Sequence, residues 1–236
     1  MSRLLATMRT DVRLQIRNGF YYVTIFVAVI AVIAFSRLNI PDYRYVWPIF
    51  ILGNMMMVGF YFMAGMVLLE KGEGTMEAQV ITPLRPVEYL LSKVLTLGFL
   101  SLVESTILVV LLSGVDFNWL LFLLGLAITA ALYSLFGFIA VAPYDSINEF
   151  IFPSVLWVLA TLPPVLYFLG VSDSWLFFLH PLQAPLVLMQ GAFTGVPPWQ
   201  IIYGILYGAL WVGIALYWSL RVFRRFIIRR EGTRFA

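Results

Sequence analysis

Residues 119–142 read WLLFLLGLAITAALYSLFGFIAVA, an apolar run that contains no charged residue. A run of about 20 apolar residues is long enough to cross the hydrocarbon core of a bilayer as a helix. The whole chain shares this character, since 62% of its 236 residues are hydrophobic and 11% are charged. A soluble domain has about a quarter of its residues charged. The sequence therefore predicts an all-α polytopic membrane protein.

Five further apolar segments, before and after this run, are long enough to span a membrane. The six predicted spans are Phe20–Phe35, Tyr45–Leu69, Val94–Ser113, Trp119–Ala142, Phe150–Gly170 and Trp199–Leu220. The segments between them are too short to form a soluble domain, which needs about 50 residues or more. Residues 1–236 are therefore expected to form a single transmembrane domain.

The basic residues are distributed unequally between the two sides of the predicted bundle. Of the fifteen Lys and Arg residues, only Arg37 and Arg44 fall in loops on the side opposite the termini. Positively charged short loops stay on the cytoplasmic side, so both termini are expected in the cytoplasm. The formal net charge of +3 then indicates contact with anionic lipid headgroups and not with nucleic acid.

The segment before the first span is predicted to be an amphipathic helix, residues 1–18. Apolar residues recur every four positions on one face and arginines do so on another. These residues are Leu4, Met8, Val12 and Ile16 on the first face and Arg9, Arg13 and Arg17 on the second. Such a helix is expected to lie in the cytoplasmic headgroup layer. It would serve either as a generic membrane-surface anchor or as a binding element for a partner protein beneath the membrane.

Residues 70–93 form the only sizeable cytoplasmic loop, which begins EKGEGTMEAQVITPLRPVE at residues 70–88. Thr75 is placed to cap a short helix, and Pro83 would end it. Pro86 suits the first turn of the next helix, which would continue into the third span. The pattern predicts a short charged helix parallel to the membrane, and a solvated loop is the alternative.

This loop resembles the signature region of type-2 ATP-binding-cassette (ABC) transporter permeases. That region has an acidic-basic pair, Gly-Thr, an acidic residue, a Thr-Pro turn and a Lys that enters the third span. The matching positions are Glu70, Lys71, Gly74, Thr75, Glu77, Thr82, Pro83, Glu88 and Lys93. Gly72 departs from the pattern, because many members carry a charged residue there. The six-span layout and the N-terminal helix extend the resemblance over nearly the whole chain.

The segment between the fifth and sixth spans carries a second resemblance to the same family. Residues 172–198 are expected to form two half-helices, Ser174–Leu179 and Pro185–Phe193, broken at His180 and Pro181. Members of the family have a re-entrant helical hairpin in the outer leaflet at this point. The Ser-Gly pair that many members carry on the fifth span is replaced here by residues 162–167, which leaves the subfamily and its substrate open.

The resemblance implies the membrane subunit of an ABC exporter of the drug or small-molecule efflux type in a prokaryotic cytoplasmic membrane. The chain contains no Gly-x-x-x-x-Gly-Lys-Ser/Thr loop, so ATP and magnesium would be bound by a separate P-loop ATPase, in two copies. A second permease subunit, most simply an identical chain, would complete the assembly. No cofactor, catalytic residue or metal site is expected in this chain. The residues implied to couple it to the ATPase are Glu70, Glu73, Thr75, Glu77, Arg85 and Glu88, with Asp145 and Glu149 as a second contact.

Glu104 is an isolated carboxyl group near the middle of the third span. An ionised carboxylate there costs at least about 2.5 kcal/mol, so it either packs spans together or contributes to a substrate route or subunit interface. Ser101 and Ser105 share its helix face. Phe60 and Met63 lie in a part of the second span that is rich in aromatic residues and methionine, which suits apolar ligands or core packing. This aromatic and methionine content favours a hydrophobic or amphipathic substrate such as a drug or lipid. The alternatives are a proton-coupled transporter that uses Glu104 and a membrane-embedded enzyme or non-transporting scaffold.

Overall fold

The computed structural model describes residues 3–38, 42–76, 84–171 and 174–228, and every regular element in these ranges is helical. Six helices in the described ranges are long and apolar enough to cross a membrane. These helices, called the first to sixth spans below, are Phe20–Arg37, Trp47–Gly72, Pro86–Ser113, Trp119–Val141, Ile147–Phe168 and Pro198–Ile227. The predicted all-α fold with six candidate spans is confirmed.

Several of the spans contain irregular or additional segments. The second span consists of an α-helix Trp47–Met55, a π-helix Met56–Tyr61 and an α-helix Phe62–Gly72. The fifth span is interrupted after its helix Ile147–Ala160, and a short helix Pro163–Phe168 follows. The sixth span is helical over Pro198–Phe223 and continues as a π-helix Arg224–Ile228. The shorter elements outside the spans are the N-terminal helix Arg3–Arg17 and the 3-10 helices Tyr43–Tyr45 and Trp175–Leu179, with an outer helix Gln183–Phe193.

The second and fourth spans form the centre of the bundle. Their most apolar windows are 72% and 67% buried, whereas those of the first, fifth and sixth spans are 17% buried. The central two cross closely, because a Cβ atom added to Gly137 would lie 2.5 Å from the Phe60 carbonyl oxygen. Glycine at this position therefore lets the two backbones touch, as small residues do between membrane helices.

The N-terminal helix packs on the first and third spans through polar residues. Asp11 and Gln15 are its buried side chains, while Ile16 on the predicted apolar face is 47% exposed. The helical conformation agrees with the expectation for this segment. Its position in the headgroup layer stays a prediction. Its fully buried side chains are polar, whereas Leu4, Met8 and Val12 of the predicted apolar face are only half-buried.

The outer helix Gln183–Phe193 packs against the fourth and sixth spans and is buried along most of its length. It begins two residues earlier than predicted, because a proline such as Pro185 fits the first turn, where backbone N–H groups lack helical partners. The Tyr203 and Tyr207 hydroxyls each donate a 2.6 Å hydrogen bond to a carbonyl oxygen of the preceding 3-10 helix. Residues 172–173 lie outside the described ranges, and the expected outer-leaflet depth of this hairpin remains a prediction.

Candidate functional site

A buried ionic cluster lies where the N-terminal helix meets the end of the second span and the start of the third. The Lys93 ammonium is 2.8 Å from an Asp11 carboxylate oxygen and 2.5 Å from a Glu70 carboxylate oxygen. The Lys93 side chain is fully buried, and those of Asp11 and Glu70 are 3% exposed. Each of the three elements therefore contributes one charged group to a site without access to water.

Two hydroxyl groups complete the hydrogen bonding of the two carboxylates. The Tyr89 hydroxyl donates a 2.6 Å bond to the second Glu70 oxygen, and the Ser92 hydroxyl donates to the second Asp11 oxygen. The Tyr89 ring also lies against the Lys93 ammonium, 4.5 Å from ring centre to nitrogen. One ammonium thus faces two carboxylates, and neutral donors satisfy the oxygens that the ammonium does not reach.

The cluster holds three separate segments in one arrangement. A further buried hydrogen bond strengthens the contact between the N-terminal helix and the third span, since the Gln15 amide donates to the Thr96 hydroxyl at 2.9 Å. Removing one partner of a buried ion pair costs about 3–5 kcal/mol, because the other charge is left uncompensated. A displacement of the N-terminal helix would break these bonds unless the second and third spans moved with it. The arrangement can therefore transmit a movement from one element to the others.

Further polar contacts, some exposed and some partly buried, lie at the same end of the bundle as the cluster. Arg17 and Glu73 form a 2.6 Å ion pair with side chains 58% and 41% exposed. The Thr75 hydroxyl donates to the Glu70 backbone carbonyl at 3.1 Å. On the other side, the Lys71 ammonium donates to the Ala142 and Tyr144 carbonyl oxygens, each at 2.7 Å, and so joins the second span to the end of the fourth.

The structure divides the residues predicted for ATPase coupling into two groups. Glu70 is buried and can act on a partner only through its neighbours, and Glu88 accepts a 2.9 Å bond from the Arg85 backbone N–H at the start of the third span. The members with exposed side chains are Glu73, Arg85, Asp145 and Glu149. Glu77, with the rest of the predicted short helix through residue 83, lies outside the described ranges.

A surface groove of about 250 Å³ lies beside Asp145. It is lined by Leu68 and Leu69 at the end of the second span and by residues 145–148 at the start of the fifth. The Asp145 carboxylate is 3.5 Å from the Lys71 ammonium, so the groove adjoins the contacts that hold the second span to the fourth. Its mixed apolar and acidic lining suits a protein segment that docks from this end.

Glu104 and the other residues predicted for a substrate path are not brought together. Glu104 is 6% exposed at the floor of a groove between the first and third spans. Ser101 is fully buried and donates to the Gly98 carbonyl oxygen, and Ser105 is 1% exposed on the same helix. Phe60 and Met63 are buried in the main core, where Phe60 stacks on Phe150 of the fifth span. Within the described residues, Glu104 alone of this set lines the groove.

His180 ties the end of the fifth span to the outer segment. Its Nε2 lies 2.8 Å from the Ala160 carbonyl oxygen, and its Nδ1 accepts a 3.2 Å bond from the Leu182 N–H. These two bonds require the neutral ring with its proton on Nε2. Burial lowers the pKa of His180, and the bond to Ala160 offsets this in part. The residue has a structural role in this arrangement.

Of the two carboxylates in the ionic cluster, Glu70 was predicted as a site residue from the sequence and Asp11 was not. The sequence predicts a membrane-surface helix over residues 1–18 without a separate role for Asp11 or Gln15, and Lys93 belongs only to the loop pattern. The sequence does contain a signal for a polar contact face on this helix. Asp11 is the only carboxylate among four arginines in residues 3–17, and Gln15 follows four positions later on the same helix face. No group of three or more His, Asp or Glu residues suited to a metal ion occurs in the part of the chain that the structure describes.

Comparisons with known proteins identify relatives over the whole length of the chain. The fluoroquinolones export permease protein family matches residues 2–231. Two proteins named fluoroquinolones export permease protein, from two strains of Mycobacterium tuberculosis, are each 28% identical to this chain over 236 residues. The alignment covers 99% of this chain and 100% of each relative, so the similarity extends across all six spans of this chain.

Proposed function

The chain belongs to the fluoroquinolones export permease protein family, and from this premise we propose that it is the membrane subunit of an ATP-driven exporter. Family membership makes it a permease subunit of an exporter and supports the resemblance of residues 70–93 to type-2 ABC permeases. The energy would come from two copies of a separate P-loop ATPase, which bind ATP and magnesium. A second copy of this chain would complete the assembly.

The buried ionic cluster is the observation that carries this proposal. An exporter of this kind needs a rigid connection between the site where an ATPase pushes and the spans that must tilt. Lys93 provides such a connection, because it bonds Asp11 of the N-terminal helix and Glu70 of the second span at once. A push on either element would therefore reach the second and third spans together.

Contact with the ATPase would involve the exposed acidic and basic residues around the cluster. Glu73 and Arg85 flank residues 77–83, and Asp145 borders the groove at the start of the fifth span. Closure of the ATPase pair would press on these surfaces from the cytoplasmic side, where both termini are expected from the distribution of basic residues. The spans would then re-tilt and open a path outward.

The substrate is proposed to be a hydrophobic or amphipathic small molecule that leaves the cytoplasm or the inner leaflet. The names of the two mycobacterial relatives make a fluoroquinolone the first compound to test. The peripheral spans leave large apolar side chains on their surfaces, as expected for a protein in contact with lipid and with lipid-soluble compounds.

The proposal is tested by co-purification with a P-loop ATPase. We expect the neighbouring reading frame to encode this ATPase, because the genes of exporter permeases usually adjoin one. The wild-type chain in detergent is expected to retain the ATPase, and Glu73→Lys is expected to lose it. Glu73→Lys also breaks the ion pair with Arg17, so Arg17→Ala is the matched control and should retain the ATPase. Asp42→Lys makes the same charge change at the opposite end of the bundle and should also retain it. If the wild-type chain does not retain the ATPase, the proposal is wrong.

A further inference from the structure

A lateral groove of about 540 Å³ lies between the first and third spans. Its volume is within the range of about 300–1,000 Å³ that is typical of small-molecule sites. The walls are aliphatic and exposed, and they come from both helices. They include Ile25, Val29 and Ile33 on the first span and Val103, Ile107 and Leu111 on the third.

The floor of the groove differs from its walls because it contains unpaired polar groups. Both Glu104 carboxyl oxygens and the Thr24 hydroxyl are buried and lack a hydrogen-bond partner among the described residues. The Asn54 side-chain amide lies beside the Glu104 carboxyl and interacts with it, but the Asn54 Nδ2 and both Glu104 carboxyl oxygens lack a hydrogen bond of normal geometry among the described residues. Unpaired polar groups inside a membrane are costly and mark functional sites.

No basic residue of the described chain neutralises Glu104. Lys93, eleven residues earlier on the same helix, is about 16 Å away along the axis and already faces two carboxylates. The other basic residues of the spans, such as Arg37, Lys71 and Arg221, lie close to span ends. Glu104 is nine residues, or about 14 Å, before the end of its helix. The described residues of a second copy could therefore cover the apolar walls, but none of their basic side chains would lie at this depth.

We propose that the groove binds an amphipathic organic cation, with its positive group at Glu104 and its apolar part between the first and third spans. The cation supplies the missing partner of the carboxylate, and the aliphatic walls enclose the rest of the molecule. The lateral opening allows entry from the bilayer. This inference rests on the proposed export function, since it names the substrate class that the permease would carry.

The test measures binding of tetraphenylphosphonium to the purified chain in lipid nanodiscs without any ATPase. Tetraphenylborate is the matched ligand, because it has nearly the same size and shape and the opposite charge. The wild-type chain is expected to bind the cation saturably and to prefer it over the anion. Glu104→Gln is expected to weaken cation binding by about tenfold or more, as the loss of a close charge pair does.

Two further variants separate charge from shape. Ala28→Trp keeps the carboxylate and fills the groove, so it should abolish binding of the cation. Asp116→Asn removes an exposed carboxylate beyond the end of the third span and should leave binding unchanged. Circular dichroism and gel filtration show whether each variant is folded.

Equal binding of the cation to wild type and Glu104→Gln would overturn the proposal, and so would equal affinity for the anion, which indicates an apolar cleft for lipid chains. Absence of cation binding to wild type would also overturn it. Because the chain has no cysteine, an Ile107→Cys variant then shows by disulfide cross-linking whether a second copy covers the groove. The assay needs neither ATP nor the ATPase, so its failure leaves the co-purification result standing, and the reverse also holds.

Discussion

Replacement of Lys93 by methionine should destabilise the chain more than any single neutralisation around it. Methionine retains most of the side-chain volume but leaves the Asp11 and Glu70 carboxylates facing each other in a site that is almost fully buried. Breaking a buried ion pair in this way costs about 3–5 kcal/mol. For a chain of this size each kcal/mol corresponds to about 2–4 °C, so the melting temperature should fall by about 6–20 °C.

The order of the variants tests the electrostatic argument more sharply than the size of one shift. Asp11→Asn should be milder than Lys93→Met, because it leaves one ammonium facing one carboxylate and retains a polar group beside Ser92. Arg17→Met removes the exposed pair with Glu73, which is worth at most about 1 kcal/mol, and serves as the control.

The assay is thermal unfolding of each variant in lipid nanodiscs, followed by tryptophan fluorescence. A Lys93→Met melting temperature within about 2 °C of wild type, less than 1 kcal/mol, would refute the reasoning. A larger loss for Asp11→Asn than for Lys93→Met would refute it as well, because it would mean that the second carboxylate is needed and not merely tolerated.

Two other variants test packing and pH dependence. Gly137→Ala places a methyl group 2.5 Å from the Phe60 carbonyl oxygen and should cost about 1–3 kcal/mol in thermal unfolding, whereas Gly53→Ala, which meets no atom within 4 Å, should be neutral or slightly stabilising. Burial lowers the pKa of His180 below its ordinary value of 6.5, so the unfolded chain takes up the proton first and stability falls as the pH drops through 6.5. The melting temperature of the wild type should therefore fall further between pH 7.5 and pH 5.5 than that of His180→Asn. An equal decrease would contradict a structural role of the neutral His180 ring.

The sequence predicted the fold because each span carries its own signal. An apolar run such as residues 119–142 identifies a membrane helix without knowledge of its neighbours. The irregular segments were harder to predict. The π-helix at Met56–Tyr61 lies where the second span crosses the fourth, and no local residue pattern marks such a crossing.

Only part of the candidate site could be predicted from the sequence, because the site combines the N-terminal helix with the ends of two spans. Residues 70–93 could be recognised from the order and spacing of their charged, glycine and proline residues. Nothing in the sequence pairs Asp11 with Lys93, which lie 82 positions apart. The helical period of the first 18 residues indicated an apolar face, but tertiary packing buried Asp11 and Gln15, since the ammonium of Lys93 compensates the charge of Asp11.

Glu104 shows how the structure changes the reading of one residue. A lone carboxyl in a span is compatible with packing, proton transfer or substrate binding. Its position at the floor of an apolar groove, which the unpaired Thr24 hydroxyl also lines, and the lack of a basic neighbour among the described residues favour a ligand that brings its own positive charge. The ionic cluster and the groove thus lie on different parts of the third span, and we propose force transmission for the first and ligand recognition for the second.

The most direct test of the central claim is uptake of a fluoroquinolone into inside-out membrane vesicles that contain the chain and its ATPase. We expect uptake that requires ATP and both proteins and that is lost when either is omitted. Uptake by the chain alone, driven by a pH gradient without ATP, would contradict an ATP-driven exporter and would favour a proton-coupled transporter that works through Glu104.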